Sequence, residues 1–118
     1  MKNEATIQAL ILKFMRTLGP ACWVIKAAVC NERGVPDILC CYRGRFVGIE
    51  VKTCKGRLGP AQKVQGKRIQ MACGSSGVAR SVEDVREMIA EIDDALDEDD
   101  DGDETDRNRH RTPGRGPS

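Results

Sequence analysis

Histidine is almost missing from this chain. The only one is His110, and none of the six cysteines forms a CxxC pair, so a structural zinc site has no ligand set to build on. No stretch approaches the ~18 apolar residues that span a bilayer, which argues against a membrane protein. No secretory signal precedes the cysteines either: the opening MKNEATIQALILKFMRTLG reads as an amphipathic helix with charges inside it. Cys22, Cys30, Cys40, Cys41, Cys54 and Cys73 are therefore read as reduced, mostly small core residues, and the expected compartment is cytosolic or nuclear, with no secretion. Aromatic residues make up only 3% of the chain, and Trp23, Tyr42 and Phe46 lie in apolar runs, which favours core positions over a base-stacking platform.

The charge is present but unevenly placed. Residues 1–80 carry 14 Lys/Arg against 4 Asp/Glu, while residues 81–118 carry 5 against 14, so a formal charge of +1 conceals a basic body and an acidic end. That form suits a chain that meets polyanions and also carries a segment that repels or mimics them. At 118 residues there is room for one modest core.

Asn3 is a good helix N-cap and Glu4 suits the first turn. Ile7, Leu10, Ile11, Phe14, Met15 and Leu18 then recur at helical spacing until Gly19-Pro20. The spacing predicts strands over 22–29, 37–42 and 45–53. Pro36 stands ahead of the second strand, and Arg43-Gly44 makes a tight reversal that turns the last two into an antiparallel hairpin. Pro60 opens a helix reaching to about residue 72, and Gly74-Ser75-Ser76-Gly77 breaks it. GVAR reads as a short strand. Ser81 and Asp84 then start a last helix with Val82, Val85, Met88, Ile89, Ile92 and Leu96 on its apolar face. The expected order is αβββαβα in a domain over 1–96. Residues 97–118, acidic and then basic, have too little apolar surface to offset ordering entropy and are read as a disordered tail.

Within "GVPDILCCYRGRFVGIEVKTCKG" three polar residues interrupt the strands. Strand alternation puts Glu50 and Lys52 on one face about 7 Å apart, and the hairpin brings Asp37 near Glu50. Two close carboxylates need positive charge between them, supplied by Lys52 or by a divalent cation. Magnesium suits one or two carboxylates plus phosphate oxygens, with the Val51 carbonyl as a further ligand. Spacing alone also fits the solvated face of a hairpin. After the hairpin, Lys55, Arg57, Lys63, Lys67 and Arg68 form a basic cluster suited to phosphate contacts, or alternatively a solvated helix face. AQKVQGKR lacks the first glycine and the Ser/Thr of a Walker loop.

"GVPDILCCYRGRFVGIEVKTCKGRLGPAQ" resembles the PD-(D/E)XK nuclease signature, with Pro36-Asp37 as its first half and Glu50-Val51-Lys52 as its second. It is most similar to the VRR-NUC (virus-type replication-repair nuclease) branch, whose pattern runs G-x-PD, hairpin, (I)EVK, a basic Gly-containing loop and a glutamine. ARSVEDVREMI resembles the closing strand and helix of that family, and the match spans roughly residues 3 to 92. The resemblance implies an α/β, restriction-endonuclease-like core: a mixed sheet flanked by helices. It also implies roles for individual residues. Asp37, Glu50 and Val51 would bind metal, with Glu4 reaching it through a water or a second ion. Lys52 would be the catalytic lysine, with Gln62 beside the site. The expected cofactor is Mg2+, with Mn2+ as the alternative. Small stand-alone members look like archaeal Holliday-junction resolvases, so the expectation is a homodimeric endonuclease of branched DNA, located in a host cytoplasm if phage-encoded. The alternatives are a flap or linear-duplex nuclease, a non-catalytic DNA-binding module, and an adaptor working through the acidic tail.

Overall fold

In a computed structural model, residues 2–100 are described. The chain divides into two compact units, Met1–Glu87 and Met88–Ser118. The first helix, α1 (Glu4–Arg16), begins where Asn3 Oδ1 accepts from the Thr6 amide at 2.8 Å. It ends ahead of a 3-10 turn at Gly19–Ala21. Its buried stripe is Ile7, Ile11 and Met15, with Leu12 beside them. Leu10, expected on that stripe, lies at its margin and is 38% exposed.

Four strands follow: β1 (Cys22–Lys26), β2 (Ile38–Tyr42), β3 (Arg45–Val51) and β4 (Ser75–Ala79). They form one sheet in the order β1-β2-β3-β4. The first two pairings are antiparallel, and β3 pairs with β4 in parallel. The parallel crossover is made by α2 (Pro60–Met71), and α3 (Val82–Asp100) follows β4. The Arg43-Gly44 reversal has both residues at positive φ, 51° and 84°, the backbone of a two-residue hairpin turn.

Cross-strand register places Ile38 opposite Ile49 and Cys40 opposite Val47. With Val51 and Ala79, these residues form one buried face. Alternation turns Gly48 and Glu50 the other way, toward α2. The missing side chain of Gly48 makes room there for Pro36 and Ile69: an added Cβ would lie 2.8 Å from Pro36 Cγ. Burial pushes the Cys40 thiol up to about 12, so it behaves as a small apolar core residue. Cys30, Cys41, Cys54 and Cys73 are exposed, as are Trp23 and Phe46, against the core positions expected of them.

The structure shortens three expected elements and extends two others. The strand expected over 22–29 stops at Lys26: Ala27 N–H still donates to the Asp37 carbonyl at 2.8 Å, but the next partner residue is Pro36, which has no N–H. The second strand starts at Ile38, with Asp37 just outside it, and the third ends at Val51. Ser75 and Ser76, read as breakers, belong to β4, because parallel pairing with Val47 and Gly48 holds them in extended form. The last helix continues to Asp100, past the point where composition predicted order to end; the rest of the expected tail, 101–118, lies outside the described residues. Val85 is buried in the first unit, and Ile89 and Ile92 are buried in the second.

Candidate active site

The hairpin register, continued one residue past Ile38–Ile49, puts Asp37 opposite Glu50. Continued once more, it puts Pro36 opposite Val51. A proline there cannot complete the ladder, and the carboxylate takes over: Asp37 Oδ2 accepts the Val51 N–H at 2.8 Å. A strand residue points its N–H and C=O the same way, so the Val51 carbonyl faces the Asp37 side with no donor from Pro36. The Pro-Asp dipeptide thus ends a strand pairing and leaves oxygen atoms at its end.

Glu50 is the one buried charged residue among those described, 7% exposed. Its Oε2 accepts from Gln62 Nε2 at 2.6 Å and lies 3.9 Å from Lys52 Nζ. Its Oε1 is buried without a hydrogen-bond partner. Burial, and then the Asp37 charge, push the Glu50 carboxyl up to about 7, against the lowering effect of Lys52. When Glu50 is ionised, its Oε1 is an unpaired buried acceptor close to the Asp37 charge. At 3.9 Å the Lys52 ammonium is too distant to hydrogen-bond Glu50.

Gln62 is fixed from both ends. Its Oε1 accepts the Gly59 N–H at 2.8 Å, capping the first turn of α2, which turns the amide NH2 toward Glu50. That first turn is itself seated by Gly34. At φ 80°, Gly34 lies so close to α2 that an added Cβ would sit 2.3 Å from the Ala61 carbonyl oxygen.

The structure therefore brings together Asp37, Glu50, the Val51 backbone, Lys52 and Gln62. Glu4 is exposed in the first turn of α1. It does not join the two carboxylates: among the described residues no three His, Cys, Asp or Glu side chains form a metal-binding group. Two carboxylates, a backbone carbonyl and an unpartnered buried oxygen nevertheless fit a hard divalent cation that keeps several waters.

Two of the five expected phosphate-binding residues, Lys63 and Lys67, share a cavity with Glu50 and Gln62 of the site. Lys55 and Arg57 line a second, larger cavity of about 750 Å³ with Lys63. Arg68 does not join them; it lies 3.8 Å from Glu32 and borders an apolar hollow beside Phe46. Arg80, which also lines the larger cavity, had no local signal in the sequence, because its neighbours there come from the loop before α2. No helix among the described residues is long and apolar enough to cross a membrane.

No protein-family model matches this chain, and no curated protein does. Among solved structures it is similar to one described as "VRR_NUC domain", at 24% identity and a TM-score of 0.64, over 76% of this chain and 97% of that one. The mixed four-stranded sheet and its helices share the fold of that VRR_NUC domain structure.

Proposed function

We propose that this chain is a metal-dependent structure-specific endonuclease that hydrolyses phosphodiester bonds in branched DNA, such as four-way junctions, and acts as a homodimer. The observation that carries the reading is the convergence of Asp37 and Glu50 at the end of the hairpin, with a buried Glu50 oxygen that has no partner. Nothing in a purely structural hairpin requires a buried, unsatisfied carboxylate, which costs about 1–3 kcal/mol.

Asp37, Glu50 and the Val51 carbonyl would hold Mg2+, or Mn2+ in its place, and Glu4 would reach it through a water or a second ion. When bound, the ion supplies a Lewis acid for the phosphoryl oxygens and lowers the pKa of a water. Lys52 directs its ammonium at the attacking water and offsets the charge that develops on the phosphoryl group. Gln62 keeps Glu50 Oε2 in place. As water adds to phosphorus, the bond to the 3′ oxygen breaks, leaving a 5′-phosphate and a 3′-hydroxyl. Lys55, Arg57, Lys63 and Lys67 hold neighbouring phosphates without reading bases. Symmetric cutting of a four-way junction needs two sites related by a two-fold axis, which a dimer supplies.

The test uses labelled four-way junction, flap and linear duplex, incubated with the full chain in magnesium or in chelator, alongside Glu50→Ala. Junction-selective cutting that needs the metal and disappears in Glu50→Ala is the expected result. Equal cutting by Glu50→Ala removes Glu50 from the chemistry, whereas binding without cutting by the unmodified chain leaves a DNA-binding module.

A further inference from the structure

Lys52 sits at the end of β3, where the chain enters the connection 52–59 to α2. A flexible lysine there needs something to hold it, and the ion-pair distance of 3.9 Å to Glu50 is too long for a hydrogen bond. What lies against it is the turn 53–56. An added Cβ on Gly56 would fall 3.1 Å from Lys52 Cδ and 3.3 Å from its Cβ, so this turn rests directly on the aliphatic stem.

The turn is closed by one backbone bond, Gly56 N–H to the Thr53 carbonyl at 3.1 Å. It is also clamped from outside. Arg80 Nη1 donates to the Thr53 carbonyl and, at 2.8 Å, to the Gly56 carbonyl. Arg80 is set in turn by the start of α3, where its own N–H donates to Asp84 Oδ2 at 2.8 Å and the Asp84 N–H donates to Ser81 Oγ at 3.2 Å. The first and last carbonyls of the four-residue turn are therefore held by one guanidinium carried by a capped helix start.

We propose that Arg80 is a positioning residue for Lys52. Its guanidinium fixes the turn 53–56, and the turn holds the lysine stem beside Glu50. The inference rests on the nuclease reading above, but it assigns Arg80 a role distinct from that of the phosphate-binding lysines around it. Both bonds leave from one nitrogen, Nη1, held at the end of a planar guanidinium; an ammonium on a flexible stem keeps the charge and loses that reach and orientation.

Arg80→Lys, Arg80→Ala and Gly56→Ala are compared with the unmodified chain by single-turnover cutting in magnesium, by DNA affinity in chelator, and by trypsin cleavage after Lys55 and Arg57. Arg80→Lys should lose about 10- to 100-fold in cutting rate, the scale expected when a reacting group is misplaced by an ångström, while its DNA affinity stays within about 3-fold. Gly56→Ala, which pushes on the stem but leaves Arg80 intact, should show the same split. Trypsin should cut the loop faster in both Arg80 variants while their melting temperatures show them folded. Normal cutting by Arg80→Lys, or a rate loss matched by an equal affinity loss, overturns the proposal and makes Arg80 another phosphate contact. An unchanged trypsin pattern overturns it independently. An unmodified chain that cuts no DNA overturns the nuclease reading instead, and the trypsin comparison then decides the clamp by itself.

Discussion

Glu50 concentrates the tension in this molecule. Its carboxyl titrates near 7 where a free glutamic acid titrates near 4.5, because burial and the Asp37 charge disfavour ionisation more than Lys52 favours it. A raised folded pKa means that the folded chain holds a proton which the unfolded chain has already released between these two values. Stability is therefore full below about pH 4.5 and falls as pH rises through about 7. In chelator, the melting temperature should drop over this window. Glu50→Gln, which keeps the shape and can still accept from Gln62, should flatten the drop and melt higher than the unmodified chain at pH 8. Magnesium should raise the melting temperature of the unmodified chain at pH 8 and leave Glu50→Gln nearly unmoved, since a ligand stabilises only the form that binds it. Equal pH profiles for the two proteins would mean that the site is wetter and better satisfied than the geometry indicates.

At the scale of elements, the hairpin, the loop before it and α2 depend on one another through Gly34. Its positive φ and its approach to the Ala61 carbonyl leave no space for a side chain. Gly34→Ala should therefore cost on the order of 2–4 kcal/mol, read as a shift in denaturation midpoint. It should also weaken the Gln62 contact with Glu50, because α2 must back away. Gly44→Ala is the control: Gly44 also has positive φ but has open space around it, so it should carry the backbone strain alone and cost less. The sequence made Gly34 visible as part of a G-x-PD pattern without saying what it touches. Much else was legible for local reasons. The period of Ile7, Ile11 and Met15, the cap at Asn3 and the Arg43-Gly44 reversal are all short-range signals, and each lies where the pattern put it. Ser75 and Ser76 in β4, the early end of β1 and the Arg80 clamp were not legible. Each is decided by a partner distant in sequence: the parallel neighbour β3, the proline across the ladder, and the carbonyls of a loop more than twenty residues earlier.

At the scale of the whole molecule, on the nuclease reading proposed above, the charge pattern would set how the protein meets DNA. The basic residues around the site lie in a portion of the chain with 14 Lys/Arg against 4 Asp/Glu, whereas residues 97–118 carry eight Asp/Glu against four Arg. If that acidic run competes with phosphates for the same cations, DNA binding displaces part of the protein's own chain in place of small ions. The apparent salt dependence is then shallower than the number of phosphate contacts implies. Deleting 97–118 should strengthen binding by about 3- to 10-fold near 50 mM salt and steepen the slope of log affinity against log salt. The two chains should converge by about 0.3 M, where screening shortens the reach of the tail. The cutting rate at saturating DNA should not change, because Asp37, Glu50 and Lys52 all lie outside the deleted segment. Parallel slopes with equal affinities would show that the tail stays off the basic face, and loss of cutting at saturation would favour the adaptor reading, in which the tail recruits another protein.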